Sequence, residues 1–203
     1  MKQIVLFAKM PRLGRVKSRL ARGLGWRAAT DFHRRTTAQL VAALRRQRQW
    51  QLTLWVAPDR AVAEAALWAR LGASRVPRRA QGQGDLGRRM ARPFRLLPRG
   101  PLLLIGTDIP ELGPAQIAAA FRLLASHDAV FGPAEDGGFW LVGLKRRGDP
   151  FRNVRWSSAH ALADTLANLG PARVAFLRPL SDIDTAEDYR LWRDRHAAAA
   201  AAR

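Results

Sequence analysis

Four short stretches of this chain combine residue types and spacings that could do chemistry. The first runs Lys9-Met10-Pro11-Arg12-Leu13-Gly14-Arg15-Val16-Lys17-Ser18-Arg19. It leaves an apolar segment, turns at Pro11 and Gly14, and enters a helical pattern with Lys9, Arg15, Lys17 and Arg19 around its start. Free backbone N–H groups at a helix N-terminus, joined by ammonium and guanidinium donors, suit a polyphosphate. The G-x-x-x-x-G-K-[ST] spacing of a Walker A loop is absent, and the ordinary alternative is a basic surface helix. The second stretch is Asp108, just past Leu102-Leu103-Leu104-Ile105. A carboxylate there could hold a divalent cation that bridges phosphates, or it could cap the turn before Pro110. The third, Asp182-Ile183-Asp184, places both carboxylates on one side if the chain is extended, so that one could be a second metal ligand. Asp184 or Thr185 could equally cap the helix that follows, whose dipole Glu187 and Asp188 favour. The fourth is Glu135-Asp136-Gly137-Gly138, where paired glycines allow a tight turn and a close approach of ligand to backbone; a plain hairpin turn explains them as well. Trp140 and Trp156 could be core or stacking residues. His33, His127, His160 and His196 show no metal-ligand spacing, and no Ser nucleophile elbow is present.

These groups must be positioned by the elements between them. Ile4 to Ala8 is a five-residue apolar run stopped by Lys9-Met10-Pro11-Arg12, too short for a signal peptide and suited to a buried strand. Gly14 to Gly23 and Trp26 to Arg46 carry helical spacing, the latter through Phe32, Leu40, Val41 and Leu44. Leu52 to Ala57 reads as a strand, Ala61 to Leu71 as a helix closed by Gly72, and Arg75-Val76 as a short strand. Asp85 to Leu97 resumes helical spacing despite Pro93. Leu102 to Ile105 has no alternation, as expected of a central strand covered on both faces. Pro114 opens a helix over Gln116 to Leu124. Strands over Ala129 to Phe131 and Phe139 to Leu144 follow, then a helix over Ala159 to Leu169, a strand over Val174 to Leu177 and a helix over Thr185 to Arg195. The pattern predicts an α/β fold in one domain over residues 1–195, a mainly parallel sheet with helices on both faces, trailed by an Ala-rich tail at 196–203. In such sheets ligands bind beyond the carboxyl ends of the strands.

Composition narrows the chemistry. With 203 residues, 48% of them hydrophobic and 25% charged, the chain can bury a full core, and long disorder is not expected. The lack of cysteine excludes disulfides, Cys-ligated zinc, iron–sulfur clusters and cysteine nucleophiles, and is compatible with a cytoplasmic protein. No apolar run approaches the roughly 20 residues of a membrane helix, so no membrane insertion is expected. The net charge of +19 invites phosphate-rich partners. Nearly all of it is arginine, however, scattered along the chain, and the abundance of Ala, Arg, Gly and Trp looks like a bias toward GC-rich codons. Most of these arginines are expected on solvated helix faces.

Six segments in a fixed order give the chain a family resemblance. They are Lys9-x-Pro11-x-x-Gly14-Arg15-Val16-Lys17-Ser18-Arg19-Leu20, Gln81-Gly82-x-Gly84-Asp85-Leu86-Gly87-x-Arg89-Met90, Gly106-Thr107-Asp108-x-Pro110, Gly132-Pro133-Ala134-x-Asp136-Gly137-Gly138-Phe139, Trp156-Ser157-Ser158, and Asp182-Ile183-Asp184-Thr185. Together they resemble bacterial GT-A-like transferases of the arsenosugar-biosynthesis glycosyltransferase type, within the nucleotide-diphospho-sugar transferase superfamily. The departures are mild: Ser18 replaces the usual Thr, Ile109 a common Ser, Phe139 a common Tyr and Ser158 a common Thr. The resemblance implies a GT-A, Rossmann-like fold. It implies that Lys9, Pro11, Gly14, Arg15, Lys17 and Arg19, with Gly84 and Asp85, cradle a nucleotide diphosphate. It also implies that Asp108 and Asp184 hold Mg²⁺ or Mn²⁺, and that Asp136, Gly137, Gly138 and Trp156 face the sugar or the acceptor.

The first expectation is therefore glycosyl transfer from a nucleotide-diphospho-sugar to a small acceptor, with Lys17 and Arg19 assisting the leaving diphosphate and Asp136 orienting or deprotonating the acceptor. The alternative is nucleotidyl transfer from an NTP to a phosphorylated small molecule, which uses the same metal and cationic loop. A basic nucleic-acid-binding module fits less well, because no such motif is recognisable and carboxylates at strand ends repel a phosphate backbone.

Overall fold

The computed structural model describes residues 1–145 and 149–201. A seven-stranded sheet in the order β3-β2-β1-β4-β6-β5-β7 forms its centre. The strands are β1 (Gln3–Lys9), β2 (Gln51–Ala57), β3 (Arg78–Ala80), β4 (Leu102–Ile105), β5 (Ala129–Pro133), β6 (Phe139–Leu144) and β7 (Val174–Phe176). The helices are α1 (Ser18–Arg45), α2 (Ala65–Arg70), α3 (Leu86–Leu96), α4 (Pro114–Ser126), α5 (Ala161–Ala167) and α6 (Ala186–Ala201). The sheet is mainly parallel. β6 alone among the paired strands runs against both neighbours, β4 and β5, because a tight turn folds it back from β5.

β1 is the pivot of the sheet, pairing in parallel with β2 over all of its residues and with β4 on its other edge. The chain first builds outward through β2 to β3, then returns across β1 to start β4. That reversal opens a crevice beyond the carboxyl ends of β1 and β4, the place where open α/β sheets take ligands. Strand alternation explains why both faces are covered. Ile4, Leu6, Leu103 and Ile105 pack into one core with Leu40, Leu44, Ile117 and Phe121 of α1 and α4. Val5, Leu102 and Leu104 pack into the opposite core with Met90 and Phe94 of α3.

A third, smaller core joins α1 to the last segment of the chain. Gly25 is non-helical, with φ 79°, and divides α1 into the two helices read from the sequence. Around that break Leu20, Ala21, Ala29 and Phe32 bury Ile183, with Tyr189 and Trp192 of α6 packed against them. Close approach is built in, since a Cβ on Gly23 would fall 2.4 Å from Ala186 Cβ.

Several boundaries differ from the sequence expectation. No strand forms at Arg75-Val76; Val76 is buried in a turn, and the edge strand is β3, three residues further on. The helix expected over 61–71 is broken at Glu64 into a 3-10 turn at Asp59–Ala63 and the short α2, and Glu64 pairs instead with Arg12 of the first loop. The first helix starts at Ser18 and not at Gly14, because residues 13–15 form a turn. Helix α6 runs on from the expected end at Arg195 to Ala201, and the last two residues of the tail lie outside those described. Among the described residues no helix is long and apolar enough to cross a membrane.

The β5–β6 pair contains a glycine that packing demands. A Cβ on Gly132 would lie 2.2 Å from Cε2 of the buried Trp140 indole. A rigid ring in a filled core has little room to move, so Gly132→Ala is expected to destabilise the protein by about 1–3 kcal/mol, the usual cost of overpacking. Urea unfolding of wild type and variant measures this; equal midpoints would show that the ring repacks freely.

Candidate active site

The loop between β1 and α1 is pinned at both ends. Met10 N–H donates to Ala57 O (2.8 Å), Met10 and Val16 are buried, and Gly14 takes φ 74° to complete the turn. Lys17 then caps α1 with φ 51° and ψ 48°. This left-handed conformation costs an L-residue with a Cβ about 1–2 kcal/mol. Tertiary contacts hold it there: Lys17 Nζ lies 2.7 Å from Asp108 Oδ1 and 2.7 Å from Asp184 Oδ1. The lysine side chain is 5% exposed, whereas the two carboxylates are 43% and 42% exposed. The ammonium therefore forms the floor and the carboxylates face outward.

Each carboxylate reaches this point from a different element. Asp108 follows β4, and its carbonyl accepts a hydrogen bond from Ile183 N–H at 3.2 Å. That bond and the burial of Ile183 lay the 182–184 segment beside the end of β4. Capping of α6 is done by its neighbours: Asp188 N–H donates to Thr185 Oγ1, and the Asp184 and Thr185 N–H groups donate to Asp188 Oδ2. The Asp184 carboxylate is thus directed to Lys17.

A cavity of about 420 Å³ opens over this pair and is lined by Lys9, Lys17, Arg19, His33, Asp108, Trp140 and Asp184 among the residues singled out above. Pro11, Gly14, Arg15, Gly84 and Asp85 are not in its lining. Asp85 caps α3, its Oδ1 accepting from Arg88 N–H at 2.7 Å. Asp136, Gly137, Gly138 and Trp156 also stand outside the lining. Asp136 closes the β5–β6 turn by accepting from Gly138 N–H (2.9 Å), and Gly137 O accepts from Leu162 N–H (3.0 Å). Gly137 has φ 84°, and a Cβ there would meet Ala159 O at 2.3 Å, so this turn is clamped on the segment before α5. Trp156 packs edge-on to Phe139, which does line the cavity.

His33, Gln81 and Arg89, which were not site expectations, also line the cavity. His33 is 3% exposed, and its Nε2 lies 3.0 Å from Lys9 O. Gln81 is buried, donates to Trp55 O (2.8 Å) and accepts from the Arg89 guanidinium. Arg89 thereby adds a cation to the cavity wall. The signal for His33 was its place one helical turn before Thr36 and Thr37, which are also buried; Gln81 and Arg89 stood within the second family segment.

Charge at the site is unevenly balanced. Burial opposes the Lys17 charge, but attraction to Asp108 and Asp184 and hydrogen bonds to both outweigh it and raise its pKa. Burial likewise works to raise the Asp108 pKa, and the Lys17 charge and hydrogen bond, aided by His33 and Lys9, bring it below its ordinary value. Burial lowers the His33 pKa against the pull of its bond to Lys9 O. Asp182 has no such compensation. Burial, then the charge of Asp108, with Asp184 and Asp136 adding to it against Lys17, pushes its carboxyl up to about 7.

Three aspartates thus crowd one lysine, and a further cation would relieve Asp182. Hard carboxylate oxygens suit Mg²⁺ or Mn²⁺. Among the described residues no group of three or more His, Cys, Asp or Glu is arranged to hold a metal ion by itself. The fit is to a cation held by Asp108 and Asp184 and completed by phosphate and water oxygens, the usual arrangement for Mg²⁺ with nucleotides. For the metal-free protein the raised Asp182 pKa has a definite sign. Between about pH 4 and about 7 the folded state binds more protons than the unfolded chain, so stability falls as pH rises through that window. Asp182→Asn should flatten this slope and be the more stable form at pH 7.5; urea unfolding at pH 5 and 7.5 reads both, and a slope unchanged in the variant would assign it to other groups.

The fold is that of nucleotide-diphospho-sugar transferases. The chain matches a candidate nucleotide-diphospho-sugar transferase from Desulfovibrio desulfuricans G20 with 28% identity and a TM-score of 0.87, covering 94% of this chain and 85% of that one. It shares its fold with 4-diphosphocytidyl-2C-methyl-D-erythritol synthase from Anaerococcus prevotii DSM 20548, at 10% identity and a TM-score of 0.60 over 94% and 95% of the two chains. The same holds for Rv0371c of Mycobacterium tuberculosis H37Rv, solved in complex with manganese, at 21% identity and a TM-score of 0.50 over 93% and 95%. None of the curated proteins matches the chain in sequence. Residues 40–158 match the model of the family described as "Uncharacterized protein conserved in bacteria (DUF2064)", and the chain belongs to that family.

Proposed function

We propose that this protein is a metal-dependent transferase that moves a glycosyl group from a nucleotide-diphospho-sugar to a small acceptor. The observation that carries the reading is the convergence of Asp108 and Asp184 on Lys17 at the floor of a cavity also lined by Lys9, Arg19 and Arg89. Carboxylates and cations of that number at the carboxyl ends of β1 and β4 suit a diphosphate that arrives with a divalent cation. The likeness to the Desulfovibrio transferase supports the donor class, and the manganese complex of Rv0371c supports the metal.

In this reading Asp108 and Asp184 would hold the cation, and a cation there would supply charge neutralisation to the leaving diphosphate. Lys9, Arg19 and Arg89 bind phosphate oxygens, and Lys17 lies within reach of the same group. The bond from the anomeric carbon to the diphosphate oxygen breaks as the acceptor oxygen bonds to that carbon. The acceptor proton passes to a carboxylate, for which Asp136 on its clamped turn is our assignment, and the nucleoside diphosphate leaves. Gly137, Gly138 and Trp156 would then border the acceptor, while Pro11, Gly14, Arg15, Gly84 and Asp85, outside the cavity lining, take no contact with the diphosphate in this reading. Nucleotidyl transfer is the second reading, favoured by the fold shared with the cytidyl-compound synthase.

Product analysis separates the two. Incubation with nucleotide-sugars and Mn²⁺ should release a nucleoside diphosphate; pyrophosphate released from NTPs would move the assignment to nucleotidyl transfer. Asp108→Asn keeps the side chain's size but loses the charge that holds a cation. It should abolish Mn²⁺-dependent binding of a nucleotide-sugar in calorimetry while the protein stays folded, and unchanged metal-dependent affinity would remove Asp108 from the site. Lys17→Ala should weaken the same ligand, by about tenfold for one charge-assisted phosphate contact, without ending the metal dependence.

A further inference from the structure

The Lys17 ammonium stands where a cation between Asp108 and Asp184 would stand. It is bonded at 2.7 Å to one oxygen of each carboxylate, and its side chain is 5% exposed. A free divalent cation entering between the carboxylates would have to displace this ammonium and leave it nearly buried without a partner, which is costly. A cation that arrives on a diphosphate does not meet that obstacle, because the phosphate oxygens take over the displaced ammonium. The charge on the pair differs between the two states. With Lys17 in place the two carboxylates keep one uncompensated negative charge; with a divalent cation they are neutral, and the ammonium faces phosphate.

We propose that Lys17 is an internal counter-ion that closes the Asp108–Asp184 pair to free divalent cations and opens it to the cation–nucleotide complex, so that metal and nucleotide enter together. This rests on the metal role given above to the two aspartates. The backbone agrees with it. Lys17 is held at φ 51°, a region that a lysine occupies when contacts elsewhere keep it there, and the two ion pairs are those contacts. Transfer of the ammonium to phosphate removes them, leaving Lys9 and Arg19 to hold the anion from the cavity wall.

The test is the affinity of free Mn²⁺, without nucleotide, followed by electron paramagnetic resonance of the unbound ion. Lys17→Met should bind Mn²⁺ about tenfold more tightly than wild type, within the usual range for coupled sites. Lys17→Arg, which keeps the charge, should not, and the gain should vanish in Lys17→Met combined with Asp108→Asn. Lys17→Gln, which keeps a donor for the carboxylates, serves if Lys17→Met does not fold, and the rise of melting temperature with Mn²⁺ reads the same difference. Folded variants that bind free Mn²⁺ no better than wild type would overturn the counter-ion role alone, provided that wild type shows Mn²⁺-dependent binding of nucleotide-sugar. If wild type lacks that binding and the variants bind no Mn²⁺, the metal site itself falls, and this inference with it.

Discussion

One lysine ammonium shared by two carboxylates organises the functional end of this molecule. Lys17 belongs to the first loop, Asp108 to the middle of the chain and Asp184 to its last segment, so the ion pairs close contacts across 91 and 167 residues of sequence. Removing one partner of a fully buried pair costs about 3–5 kcal/mol because the remaining charge is stranded. Here the carboxylates reach solvent, and the cost is smaller. The lysine cannot leave as freely, since it is the buried member. The arrangement therefore favours exchange of partners over loss of a partner, as the proposed joint entry of a cation and a diphosphate would need.

The rest of the fold delivers three groups to that point. β1 ends at Lys9 and turns back through a loop pinned by Met10 and Val16, and β4 ends three residues before Asp108. Both strands lie side by side because the chain returns across β1 after building the β2–β3 edge. The third delivery is less regular. Ile183 is buried by α1 on either side of the Gly25 break, and the alternation of an extended segment turns Asp182 and Asp184 the other way. A small apolar core thus fixes two carboxylates that no strand carries. It also explains why Asp182 is uncomfortable: the segment that places Asp184 near Lys17 brings a second carboxyl without a second cation.

Much of this was legible in the residues themselves. Continuous apolar runs marked β1 and β4, helical spacing marked the elements of α1, α3 and α4, and alternation with helices implied a mainly parallel sheet. Asp108 was visible as a polar residue just past a buried strand. Those features depend on local periodicity and on burial, which the order of residue types encodes directly. Boundaries that depend on distant contacts were not visible. The chain near Glu64 breaks its helix where that residue pairs with Arg12, and the edge strand forms where β2 offers a partner to Arg78–Ala80 and not at the more apolar Val76.

Sequence by itself determined the alternation of strands and helices, the clustering of cations at the start of the first helix and the carboxylates near strand ends, because each is a property of neighbours in the chain. Tertiary structure alone decided what those charges do to one another. Thr185 and Asp188 cap α6, and the Asp184 carboxylate pairs instead with Lys17, which lies 167 residues away. The left-handed backbone of Lys17, the raised pKa of Asp182 and the lowered pKa of His33 likewise arise from groups brought together across the whole chain. Electrostatic interactions act through space and depend on burial, and neither separation nor burial is a function of position in sequence.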